Sequence, residues 1–124
     1  ENSEVDCLIS GILAFAQGSA TFTAATKVEA QQYMEAFGEK GSLLLPVPFN
    51  PISDSATEIH IKHDGEVEVI SIETSDHYRE MVDAFARSIM EKQPAPTPLS
   101  DAINNMRVID AVFASVAKGQ WETL

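Results

Sequence analysis

Apolar and polar residues alternate with a period of two through the first half and more of the chain, and the period then lengthens to that of a helix. "CLISGILAFA" at 7–16 and "SATFTAAT" at 19–26 read as two strands flanking Gln17-Gly18, a two-residue hairpin connection. "EAQQYMEAFG" at 29–38 has helix-favouring composition, yet Gln31, Tyr33, Glu35 and Phe37 alternate with Gln32, Met34 and Ala36, and the segment reads as a third strand. "GEKG" turns the chain into a fourth at 42–47, whose proline suits a strand end, and "PVPFNP" at 46–51 is a rigid loop. "ATEIHIKHDGEVEVISIE" carries the strongest hairpin signal, because Asp64-Gly65 tolerates the positive φ angles of a type I′ turn. Ile59 and Ile61 then share one face, as do Val67 and Val69, while Glu58, Lys62, Glu66 and Glu68 face water.

From Ser75 onward the spacing is helical. Ser75 or Asp76 serves as N-cap, and Tyr78, Met81, Val82, Phe85 and Ile89 form one apolar stripe. After the proline-rich "QPAPTPL", Ser100 or Asp101 caps a second helix with Ala102, Met106, Ile109, Phe113 and Val116 on its inner face, and Gly119 stops it. Trp121 to Leu124 read as a last short strand that needs something to pack against. Strands first and helices after, with no βαβ rhythm, predict an α+β fold: a mostly antiparallel, open-faced sheet of about six strands with the two C-terminal helices on one face. Phe15, Phe22 and Phe37, and the opposing Ile12, Met34 and Leu44, give both sheet faces apolar residues. The uncovered face is therefore expected to meet a partner, with Phe22, Met34 and Leu44 at the interface.

A chain of 124 residues fits one domain. Its single cysteine, Cys7, sits in an apolar stretch and implies a reducing compartment with a buried, inert thiol. With 8 basic residues against 19 acidic ones, the net charge of -11 repels phosphate backbones and anionic membranes, so neither nucleic acid nor a membrane surface is an expected partner. No apolar run is long enough to span a bilayer and no basic-then-apolar leader is present, which predicts a soluble, cytoplasmic protein. The chain opens at Glu1 without an initiator methionine, as though cut from something longer, and a processed tag would look the same.

Few residues recommend themselves for chemistry. No G-x-G-x-x-G occurs, and the two glycines of "GEKG" belong to a turn. His60 and His63 are three apart on a strand, point to opposite faces and do not share a metal ion. Glu73 and His77 straddle the strand-to-helix junction, where an acid-imidazole pair can transfer protons. Asp83 and Arg87 read as an exposed ion pair, and Asp110 lies among apolar helix neighbours. No Ser-His-Asp or Cys-His set has a promising spacing. No catalytic or metal-ligating residue is assigned, and binding or structural support is what remains.

"HYREMVDAFARSIMEKQPAPTPLSDAINNMRVIDAVFASVAKGQWETL", with the earlier "GEKGSLLLPVPFNP", resembles the end of the Gfo/Idh/MocA oxidoreductases, the family of glucose-fructose oxidoreductase, inositol dehydrogenase and dihydrodiol dehydrogenase. The matching positions are Tyr78, Phe85, Pro98, Asp101-Ala102, Asn105, Val108 to Ala111, Ser115, Gly119 and the closing Trp121 to Leu124. The resemblance implies a glyceraldehyde-3-phosphate dehydrogenase-like C-terminal domain whose parent carries an N-terminal Rossmann domain for NAD or NADP, not contained in this chain. The family's cofactor glycines and "EKP" lysine would lie upstream, "MEKQP" at 90–94 being a chance likeness, and so would its D-x-x-x-H pair. By the same resemblance, Phe49, Asn50, His77 and Tyr78 border the substrate cleft, and the open sheet face builds a homodimer or homotetramer. The expected role is the substrate-side and oligomerisation domain of an NAD(P)-dependent enzyme for a sugar, polyol or related hydroxy compound, inactive alone and with no cofactor of its own. The alternative is a free-standing module that dimerises through its sheet or binds a small molecule.

Overall fold

The computed structural model describes residues 5–124, which form two compact units. One comprises residues up to Ala30 together with Thr97–Leu124; the other is Gln31–Pro96. The order is six strands and then two helices, an α+β fold.

In the first unit, β1 (Leu8–Phe15) and β2 (Gly18–Ala25) form an antiparallel hairpin, with Phe15 opposite Gly18. The turn thus falls on Ala16-Gln17, one residue before the expected pair. Ile9, Leu13 and Phe22 share one face and are half-buried. The Phe22 ring lies across Gly11, where an added Cβ would come within 2.6 Å of it. On the other face the Ser10 and Thr23 hydroxyls meet at 2.8 Å. The same unit holds α2 (Leu99–Lys118), which begins after Pro98 without a side-chain cap, so Ser100 and Asp101 lie inside its first turn. There the Asp101 carboxylate complements the helix dipole. Gly119, at φ 65°, closes the helix by donating its N–H to the Ser115 carbonyl at 2.8 Å.

In the second unit, β3 (Met34–Gly38), β4 (Gly41–Leu45), β5 (Thr57–His63) and β6 (Glu66–Ile72) form a fully antiparallel sheet in sequence order. The strand expected over 29–38 starts only at Met34, and the fourth ends at Leu45, where Pro46 and Pro48 cannot donate to a ladder. Asp64 at φ 49° and Gly65 at φ 84° make the turn between β5 and β6, as their sequence predicts. Among the described residues no ladder joins β2 to β3, so the six strands divide into a hairpin and a four-stranded sheet.

The register separates the two faces of that sheet. Met34 stands opposite Leu45, Leu43 opposite Ile61, and Ile59 opposite Ile70, an aliphatic cluster on one face, which also carries Glu68 opposite Ile61 and Glu66 opposite His63. On the other, Glu35, Leu44, His60 and Val69 run in one row, and Lys62 faces Val67. Met34 and Leu44, expected on one interface, therefore emerge from opposite faces, because they are an even number of residues apart on strands whose register pairs Met34 with Leu45 instead. The Ile59/Ile61 and Val67/Val69 pairs each share a face as expected, and the two pairs are on opposite sides.

After β6, α1 (His77–Glu91) is capped by Asp76, whose carboxylate accepts the N–H groups of Tyr78 and Arg79, each at 3.1 Å. Lys92, at φ 54°, ends it in the left-handed conformation, with Gln93 N–H donating to the Ser88 carbonyl at 2.9 Å.

No described residue is fully buried. The helix stripes expected to form the core lie open: Phe85 is 57% exposed on α1, and Phe113 is 47% exposed on α2. On α2 the half-buried residues are Val108, Ala111, Val112, Ala114 and Ser115, a stripe rotated from the expected one. The segment after Gly119 returns alongside this helix, held by Ser115 Oγ donating to the Gln120 carbonyl at 2.6 Å and by the Lys118–Glu122 ion pair at 2.7 Å. It forms no strand, and Trp121 and Leu124 stay 68% and 75% exposed. Helical periodicity identifies which residues want cover; it does not supply the cover. No helix among the described residues is long and apolar enough to cross a membrane.

Candidate functional site

The candidate residues Phe49, Asn50, His77 and Tyr78 all lie in the four-stranded unit. Phe49 and Asn50 sit in the loop after β4. Its three prolines, Pro46, Pro48 and Pro51, restrict φ and remove backbone donors, so within 46–51 only Val47, Phe49 and Asn50 carry an N–H. Two of those three converge on a single atom: Gln32 Oε1 accepts from Phe49 N–H at 2.9 Å and from Asn50 N–H at 3.1 Å. Gln32 is itself half-buried, whereas both loop side chains are exposed, Phe49 by 64%. The arrangement presents a flat apolar ring beside a carboxamide that both donates and accepts.

His77 and Tyr78 open α1, where the Asp76 cap fixes the backbone. Their rings lie 4.0 Å apart between centroids and 38° from parallel. His77 Nδ1 is shielded from solvent and has no hydrogen-bond partner. Among the described residues no hydrogen bond or ion pair joins Glu73 to His77. Among the described residues no hydrogen bond, ion pair or ring contact links Phe49 or Asn50 to His77 or Tyr78, so the structure builds two pairs of candidates and does not join them.

Other charged candidates are ordinary. His60 meets Glu58 at 2.8 Å on one sheet face, and His63 meets Asp64 at 3.3 Å at the turn. No group of three or more ligating side chains is assembled among the described residues. Asp83 and Arg87 are not paired; Arg79 approaches Glu80 at 3.6 Å. Asp110 borders an open groove between α2 and the returning C-terminal segment, with Arg107 and Glu122. Cys7 is half-buried, with its Sγ 3.6 Å from the Val5 carbonyl.

Comparison with known proteins gives this arrangement a context. The model of an oxidoreductase family's C-terminal alpha/beta domain, that of Gfo/Idh/MocA, matches residues 1–124. The chain belongs to the Gfo/Idh/MocA oxidoreductase family. It is 30% identical over 126 residues to the uncharacterized oxidoreductase ORF334 of Rhizobium meliloti, covering 97% of this chain and 38% of that one. It is 28% identical over 116 residues to D-xylose 1-dehydrogenase (NADP(+)) 2 of Haloferax volcanii, covering 93% of this chain and 36% of that one. The chain thus spans little more than a third of the length of these relatives. No solved structure matches.

A nicotinamide cofactor, which this family implies, does not fit the residues described here. Dinucleotide pyrophosphates sit on a glycine-rich turn from a strand into a helix N-terminus. The junction from β6 into α1 is Glu73-Thr74-Ser75-Asp76, without glycine and closed by an acidic cap. The glycines at positive φ are Gly41 and Gly65, at strand-to-strand turns, and Gly119, at a helix end. Of the residues that matter to the site, Gln32 is the one that alternation alone does not reveal. Its signal is indirect: a loop poor in donors and rich in proline needs an acceptor for its few remaining N–H groups.

Proposed function

We propose that this chain is the substrate-side and oligomerisation region of an NAD(P)-dependent oxidoreductase acting on a sugar, polyol or related hydroxy compound, and that it is inactive alone. The match to the family's C-terminal domain over residues 1–124 carries the reading, and the likeness to a D-xylose 1-dehydrogenase supports the substrate class. In the parent polypeptide the cofactor supplies the hydride acceptor. The present residues have the other task, that of binding and orienting the hydroxy compound. Phe49 offers a ring to a C–H face and Asn50 a donor and acceptor to hydroxyls, while His77 and Tyr78 stand at the rigid start of α1.

Assembly uses the apolar sheet face. Met34, Leu43, Leu45, Ile59, Ile61 and Ile70 present a contiguous aliphatic surface bordered by Glu68, and contiguous apolar surface of this kind marks an interaction site. Met34 belongs to this surface; Leu44 does not, and Phe22 packs over Gly11 in its own hairpin. The test compares this chain with the parent polypeptide in NADP+ reduction with D-xylose and a panel of aldoses and polyols. Turnover by the parent and none by the chain is expected. A parent that oxidises none of them contradicts the reading.

A further inference from the structure

We infer that Gln32 is a positioning residue for substrate recognition: its side-chain oxygen fixes the backbone of the 46–51 loop and thereby sets where Phe49 and Asn50 meet the substrate. The inference rests on the reading of that loop as substrate-side.

The reasoning starts from the ladder. Met34 pairs with Leu45 at the end of β3 and β4, so continuing the register would bring the residues just before Met34 alongside those just after Leu45. Pro46 and Pro48 deny that continuation their N–H groups. The chain therefore leaves the ladder at Leu45, and two of the three amides left in 46–51, those of Phe49 and Asn50, turn to a side-chain acceptor. Gln32, two residues before β3, provides one with its side chain instead of its backbone, at 2.9 and 3.1 Å. One oxygen holding two consecutive amides constrains the peptide plane between Phe49 and Asn50, and with it the directions of both side chains. An exposed aromatic ring beside an exposed carboxamide suits a ligand with an apolar C–H face and a hydroxyl edge, as a pyranose or cyclic polyol has.

Only the oxygen of Gln32 is used, and this determines the variants. Gln32→Leu keeps the approximate shape and removes the acceptor. Gln32→Glu keeps an acceptor at the same place. In the parent polypeptide, hydrogen exchange at the Phe49 and Asn50 amides is measured together with kcat and KM, using NADP+ and the aldose or polyol turned over fastest, with D-xylose as first probe. Gln32→Leu is expected to speed exchange of both amides by about fivefold, since each lost bond is worth about 1 kcal/mol. It is expected to raise KM for the hydroxy compound by a similar factor, with kcat changed less than about twofold and KM for NADP+ unchanged. Gln32→Glu is expected to restore both readouts. Unchanged exchange in Gln32→Leu overturns the clamp, and faster exchange with unchanged KM reduces Gln32 to loop structure alone. The underlying reading is tested separately by Phe49→Ala and Asn50→Ala: if neither raises KM, or if no hydroxy compound is turned over, the loop is not substrate-side and the inference falls with it, whatever the exchange data show.

Discussion

Gly41 sits at φ +154°, and a Cβ built there would collide with the Lys62 carbonyl oxygen of the neighbouring strand. Both the backbone angle and the close approach require glycine. Gly41→Ala is expected to destabilise the parent polypeptide by about 2 kcal/mol or more, read as a lower urea midpoint with an unchanged slope. A shift equivalent to less than about 0.5 kcal/mol would mean that β4 and β5 are not in this register. At this scale legibility depended on range. The Asp64-Gly65 turn could be read from two adjacent letters, because its chemistry is local. The needs of Gly41 could not, since the obstructing carbonyl belongs to a residue on another strand, and the same holds for Gln32 and its two amides.

Among elements, α1 illustrates what sequence spacing determines well. Of the two expected caps, Ser75 and Asp76, it is Asp76 that caps it, and its carboxylate takes two of the helix's otherwise unpaired amides. Asp76→Ala is expected to cost about 1 kcal/mol, and Asp76→Asn to recover most of it, in thermal or urea denaturation. Equal stability of the alanine variant would show that the cap is made by another group. The strands were legible in number and order because alternation over a few residues suffices to mark them. Their ends were less so. Residues 31–33 alternate like a strand yet make no ladder, since the continued register would set them against Pro46 to Pro48. Trp121 to Leu124 look like a strand for their apolar side chains, but a strand exists only where a neighbour offers a ladder.

At the scale of the molecule, the absence of any fully buried side chain among the described residues outweighs every local feature. Stability comes mainly from apolar burial, and the open stripes on both helices and the aliphatic sheet face are apolar surface without cover among the described residues. The expectation that Phe85 fills a helix–sheet core is not met in this structure. Phe85→Ala is accordingly expected to cost the isolated chain less than about 1 kcal/mol, against about 3–5 kcal/mol wherever the ring becomes buried in the parent. The aliphatic sheet face makes a matching prediction. If the proposed assembly uses that face, Ile70→Glu, on it and 37% exposed, lowers the solution mass in light scattering, and Val69→Glu, on the mixed face, leaves it unchanged. The family and the α+β order were readable from the sequence. The division of six strands into a hairpin and a four-stranded sheet, and which apolar residues share a face, required the register.

The central proposal is that this chain supplies the substrate side of an oxidoreductase and none of its dinucleotide site. The most direct measurement is a fluorescence titration of NADPH against the chain and against the parent polypeptide under the same conditions. Saturable binding to the parent with none to the chain is the predicted result. Saturable binding to the chain itself would contradict the account.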